Sequence, residues 1–302
     1  MRNISINSSQ SLAESSELIV TPEGAIYHLN LRPEQIAGTI IVVGDQNRVF
    51  EVSKYFDRID HKVSNREFIT HTGVYRNKPL TVLSTGIGPD NIDIVLNELD
   101  ALVNFDLITR KIKPEKKSLN IIRLGTSGSL QPDIPVDSAV VSQYAIGFDG
   151  VLPFYKTAYE SDEDELCEAF KKHTDWSPAL NPPYAVRANS TLFNLLAKGH
   201  YTGITATANG FYGPQGRVLR LEPANANLNA LFSSFEWNGL KLTNYEMETS
   251  ALYGLAGLLG HKACTVCAII ANRYKKQYSK NYHALMENRI GNLLDALTQQ
   301  IQ

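Results

Sequence analysis

The chain has 302 residues, 43% hydrophobic and 20% charged, enough apolar content for a substantial core in one large domain or two modest ones. Its formal net charge of −2 gives no electrostatic basis for nucleic acid as a partner, so any anion it binds must be met by a local cluster of basic side chains. The polar N-terminus, MRNISINSSQSLAESSELIV, lacks the apolar stretch of a signal peptide, and no apolar run approaches the ~20 residues that span a bilayer. A cytoplasmic protein without a membrane partner is expected.

In chain order, residues 1–20 are rich in Ser and Asn and read as a loosely ordered extension, with 21–302 as one domain. Runs rich in β-branched residues predict strands at 39–45, 79–88, 118–130, 136–147, 203–212 and 262–273. Between them, apolar spacing predicts helices at 46–56, 91–105, 190–199, 247–260 and 281–301. The stretch 159–173, acidic and then basic, reads as a solvated surface helix. Several strands are nearly continuous apolar runs, as expected where both faces of a sheet are covered. The fold class is therefore α/β, a single-domain α/β/α sandwich around a mixed sheet.

Cys264 and Cys267 form a C-x-x-C inside the last strand, where positions three apart face opposite sides. They and Cys167 read as structural thiols in a reducing compartment, and no metal is predicted.

Chemistry is expected beyond the carboxyl ends of the strands, where ligands gather in open α/β sheets. VVGDQNRVF joins a strand to a helix start through Gly44, with Arg48 one turn in; a helix N-terminus favours an anion, but such joints are common. IIRLGTSGSL places Arg123 within an apolar run, where an unpaired guanidinium is costly, and follows it with hydroxyls at Thr126 and Ser127 between glycines. That suits a phosphate; pairing of Arg123 with a structural carboxylate fits the same motif. NYEMETSAL sets Glu246 and Glu248 around Met247, suited either to the two donors of a vicinal diol or to capping a helix start. FYGPQGR carries Phe211, Gln215 and Arg217, which offer a flat face and hydrogen bonds to a base, or simply a Gly-Pro turn with polar residues.

The ordered set YHLNL, VVGDQNRV, SNREF, STGIG, RLGTSGSLQP, FYGPQGR, NYEMETSAL and ANR resembles the nucleoside phosphorylase family with trimeric or hexameric members, and most closely its uridine phosphorylase branch. The resemblance runs from about Tyr27 onward. It implies a barrel-like central sheet and a phosphate cage of Gly44, Arg48, Arg123 and Thr126, with Arg66 supplied by the neighbouring subunit of a dimer. It implies that Glu248 accepts from the ribose hydroxyls, that Met247 covers the sugar, and that His28 reaches across the subunit interface to the 5′-hydroxyl. Glu246 is implied in a supporting or base-side role. Phe211, Gln215 and Arg217 would hold uracil, and Thr126 and Gly128 would line the nucleoside site. Purine-cleaving relatives place an acid at the late strand end, where this chain has Asn272-Arg273.

The activity this implies is phosphorolysis: uridine and phosphate give uracil and ribose 1-phosphate, with Arg123, Gln215, Arg217 and Glu248 carrying the catalysis and no cofactor beyond the co-substrate phosphate. The resemblance also implies a homodimer as the smallest active unit, assembling into a hexamer as a trimer of dimers. Gln46, Ser127, Asn65 and the segment GIGPDN depart from the family pattern. Some relatives hold a monovalent cation at the dimer interface; the serine expected beside Glu67 and Ile87 is Asn91 here, so none is predicted. Phosphorolysis of a purine or deoxynucleoside, hydrolysis on the same fold, and non-catalytic nucleoside binding are the alternatives.

Overall fold

The computed structural model describes residues 13–300. Its strands are β1 (Thr39–Val43), β2 (Arg58–Asn65), β3 (Phe68–Tyr75), β4 (Lys78–Ser84), β5 (Phe105–Asp106), β6 (Lys111–Ile112), β7 (Asn120–Ser129), β8 (Ala139–Gly147), β9 (Tyr184–Arg187), β10 (Tyr201–Thr207), β11 (Glu236–Trp237), β12 (Leu240–Glu246), β13 (Lys262–Asn272) and β14 (Gln277–Tyr278). The helices are α1 (Gln46–Ser53), α2 (Pro89–Asn104), α3 (Ser161–Thr174), α4 (Ser190–Leu196), α5 (Leu228–Ser234), α6 (Thr249–Leu259) and α7 (Tyr282–Gln300).

Twelve strands form one mixed sheet, ordered β11-β12-β10-β8-β13-β7-β1-β4-β3-β2, with β9 on β8 and β14 on β13. The sheet bends back on itself, because β12 also pairs antiparallel with β7 through Asn244 opposite Ser129 and Tyr245 opposite Gly128. β7, β13, β8, β10 and β12 thus close into a barrel-like ring, and β1 to β4 extend from it as an open wing. The α/β class with a barrel-like mixed sheet agrees with the expectation from sequence.

The wholly buried strand β1 is parallel to both β4 and β7, which is why its sequence, TIIVV, carries no polar alternation. Strand β2 shows the opposite pattern. It lies at the sheet edge and alternates exposed and half-buried residues, and its polar sequence RIDHKVSN concealed it. The main apolar core runs from β1 and β4 through α2 and α6 to α7. A second core gathers the aromatic rings of Phe148, Phe170, Phe232, Phe235 and Tyr245.

Two of the expected elements take a different form. Helix α3 is not merely solvated: Leu166, Cys167 and Phe170 share a buried face against the aromatic core, while charged residues occupy its ends and outer face. The run 203–212 stops as a strand at Thr207, where its neighbours β8 and β12 also end. The chain then turns through a short 3-10 segment at Gly213–Gln215. Of the N-terminal extension, residues 1–12 lie outside the described residues; beyond them Leu18 is buried in the core and Val20 bridges to Ile26.

Candidate active site

The carboxyl ends of β1, β4, β7, β12 and β13 converge on a cavity of about 760 Å³. Gly44, Arg48, Arg123, Thr126, Gly128, Phe211, Gln215, Arg217, Glu246, Met247 and Glu248 all line it. Segments more than two hundred positions apart in the chain are thus brought to one place. Of the residues expected from sequence, His28 and Arg66 do not line it.

Arg123 is buried in β7, where its guanidinium would be prohibitively costly without partners. Nη2 donates to Glu248 Oε2, Nη1 lies 3.5 Å from Glu246 Oε2, and Nη1 also reaches Cys267 Sγ at 3.6 Å. Burial opposes the positive charge, but the two carboxylates outweigh it and hold Arg123 above the usual arginine range. The space for this guanidinium exists because residue 125 is glycine: a Cβ there would fall 1.8 Å from Arg123 Nη1.

The two glutamates, alike in sequence, behave differently. Glu246 ends β12 and spends its oxygens on the chain: Thr207 Oγ1 donates to Oε1 at 2.6 Å, and the backbone N–H groups of Glu248 and Thr249 donate at 2.9 Å to Oε2. It caps the start of α6, where backbone donors are otherwise unpaired. Glu248 instead turns to the cavity, accepting from Arg123 and, through Oε1, from the backbone N–H of Gly88 at 3.0 Å. Gly88 makes this donation from a backbone at φ 98°, a conformation that favours glycine. Burial pushes the Glu248 carboxyl up, Arg123 opposes, and the like charge of Glu246 adds to the rise.

Arg48 stands in the first turn of α1, behind the Asp45 cap. It is 5% exposed, donates through Nη2 to the hydroxyl of Tyr282, and leaves Nε buried without a partner. Thr126 and Ser127 both border the same space, and the Ser127 hydroxyl accepts from Asn244 Nδ2 at 2.9 Å.

At the 211–217 turn, Arg217 lies over the Phe211 ring, 3.6 Å from its centroid, and Nη1 donates to the Phe211 carbonyl at 2.6 Å and to Gln215 Oε1. Arg273 donates to the Gln215 carbonyl at 3.1 Å and keeps Nη1 buried and unpaired. Burial and the neighbouring Arg273 bring Arg217 down to about 10. Tyr245 also lines the cavity, its hydroxyl buried without a partner. Asn272 is structural, donating to the carbonyls of Gln131 and Ile134. No carboxylate therefore occupies the end of β13.

His28 sits against Glu98, with Nδ1 2.6 Å from Oε1 and its backbone N–H donating to the same carboxylate. Arg66 occupies the β2–β3 turn at φ 52°, over the Tyr27 ring. Sequence reasoning misses Tyr245, Tyr278 and Tyr282. Tyr245 adjoins the Glu-Met-Glu motif, a signal that could have found it; the other two follow ANR in a polar stretch with no periodic signal.

Residues 39–299 match the family described as the phosphorylase superfamily. A uridine phosphorylase of Thermococcus kodakarensis is 30% identical over 273 residues, covering 88% of this chain and 84% of that protein. One from Haemophilus influenzae is 27% identical over 262 residues, with 83% and 88% covered. Among solved structures, a Trypanosoma brucei nucleoside phosphorylase described as showing uridine phosphorylase activity superposes with a TM-score of 0.85 at 32% identity, covering 94% of this chain and all of that one.

Proposed function

The chain belongs to the phosphorylase superfamily, and from that premise we propose that it is a pentosyltransferase catalysing reversible phosphorolysis of uridine to uracil and ribose 1-phosphate. The observation that carries this reading is the meeting of two guanidiniums, Arg48 and Arg123, in the cavity that also holds Glu248, Gln215 and Arg217.

Phosphate binds between Arg48 and Arg123, with Gly44 and Thr126 completing the cradle; guanidiniums both orient a dianion and offset its charge. The ribose diol donates to Glu248, and Met247 covers the sugar. As the glycosidic bond stretches, positive charge grows at C1′ and the ring oxygen, beside the phosphate that becomes the nucleophile. Negative charge grows on the departing base, where Gln215 and Arg217 donate and Phe211 supplies a flat face. Catalysis is by position and electrostatics, with no covalent enzyme intermediate and no cofactor beyond phosphate. Asn272 and Arg273 at the end of β13 offer no acid for a purine leaving group, which favours the pyrimidine.

His28 and Arg66 act in the neighbouring subunit of a homodimer; their positions outside the cavity of their own chain support this. Three such dimers form a hexamer. Three free thiols support a cytoplasmic setting.

The test is to incubate the protein with uridine, with and without phosphate, and follow uracil. Release that requires phosphate supports the reading; release without it identifies a hydrolase, and cleavage of inosine but not uridine overturns the base assignment.

A further inference from the structure

The two arginines of the cavity stand in different electrostatic settings. Arg123 faces two carboxylates. Among the described residues Arg48 forms an ion pair with none, and the hydrogen bond of its guanidinium goes to the hydroxyl of Tyr282, 234 positions away on α7. A guanidinium carries five donors and no acceptor, so a single neutral hydroxyl leaves it short, and Nε is buried without any partner. An anion in the cavity supplies the missing acceptors.

What aims this side chain is the last helix. Tyr282 packs against the main apolar core, which fixes its ring from behind. A second tie joins the same two helices, where Lys54 Nζ of the α1 C-cap donates to Glu287 Oε1 at 2.5 Å. We propose that Tyr282 is a positioning residue for phosphate: its hydroxyl holds the Arg48 guanidinium toward the cavity, making α7 part of the phosphate site. The inference rests on Arg48 and Arg123 sharing a phosphate. It confines the effect of the hydroxyl to phosphate and ribose 1-phosphate, because among the described residues the Tyr282 hydroxyl is bonded to Arg48, and Tyr282 does not line the cavity that holds the side chains assigned to the nucleoside.

Tyr282→Phe removes the hydroxyl and keeps the ring. A hydrogen bond to a charged group corresponds to about tenfold or more in affinity. The expected result is a rise of about tenfold in KM for phosphate, with KM for uridine within about twofold and an unchanged melting temperature. Glu287→Gln loosens the same helix contact without touching Arg48 and is expected to leave KM for phosphate alone. An unchanged phosphate KM in Tyr282→Phe overturns the inference, as does an equal rise for both substrates or for both variants. Titration of inorganic phosphate alone into the wild type and Tyr282→Phe, followed by calorimetry, separates this from the uridine reading. Weaker phosphate binding in the variant supports the positioning role even if uridine is not cleaved. Uridine turnover in the wild type with equal phosphate affinity in both proteins sinks the positioning role alone.

Discussion

Arg123 and Glu248, the side chains assigned to phosphate and to ribose, are bound to each other, Nη2 donating to Oε2 where both are buried. Each substrate must draw one partner away, and a buried charge left alone is costly. On the proposed reading, phosphate arriving at Arg123 releases Glu248 for the sugar diol, so the cost of opening the pair falls once on two ligands. The two substrates should therefore bind with positive coupling. Calorimetry with a carbon-linked uridine analogue that cannot be cleaved is expected to show roughly 5- to 100-fold tighter binding in saturating phosphate than in its absence. Equal affinity in both conditions would mean that the pair opens for neither ligand.

Gly125 contributes by what it lacks. A Cβ at this position would overlap Arg123 Nη1 at 1.8 Å, and the guanidinium would have to leave its place against Glu248 and Cys267 to avoid it. Gly125→Ala should fold, since the backbone there is ordinary strand, but with Arg123 displaced from the cavity. Turnover is expected to fall by about 100-fold or more, by analogy with the loss of one preorganised donor. Phosphate-dependent uracil release at the wild-type rate would show that Arg123 does not need its observed place.

Arg123 and the Glu-Met-Glu segment are conspicuous in the sequence for one reason: ionised groups inside apolar runs demand partners. Local sequence does not say which glutamate does what, and only the family resemblance separates them, because capping of α6 by Glu246 and pairing of Glu248 depend on β12 ending where it does. Strand β12 itself is hidden, and with it the closure of the barrel, which rests on two register pairs to β7. The buried face of helix α3 is obscured because its terminal charges outweigh the short apolar spacing of Leu166, Cys167 and Phe170. The Arg48–Tyr282 and His28–Glu98 contacts join positions far apart in the chain and leave no local pattern.

The C-x-x-C of β13 faces two different interiors, Cys267 toward Arg123 and Cys264 toward Tyr253 of α6. Burial pushes both thiols up to about 12, and Cys167 to about 11. At pH 8 none is a thiolate, and none should react. A chromogenic disulfide reagent is expected to report no rapidly reacting thiol in the native protein and all three in denaturant, with activity intact after native treatment. Fast labelling with loss of turnover would show that β13 opens under native conditions.

Among the described residues no carboxylate pairs with Arg217; its neighbours are Phe211, Gln215 and the like charge of Arg273. Burial, then Arg273, lowers its pKa from the ordinary arginine range to about 10, so the folded protein holds this proton less tightly than the unfolded chain. The charge therefore weighs against folding at every pH below about 10, and stability contributed by this site rises as the pH climbs above that. The proposed function gives such a cation a use, because negative charge develops on the departing uracil. Arg217→Ala should therefore retain or slightly raise the melting temperature at pH 7, while kcat/KM for uridine falls by roughly 100- to 1000-fold. Arg217→Lys should recover little, since an ammonium cannot stack on Phe211 and reach Gln215 in the same plane. Full activity in the alanine variant would remove Arg217 from the chemistry, and a large drop in melting temperature would make its role one of support for the 211–217 turn.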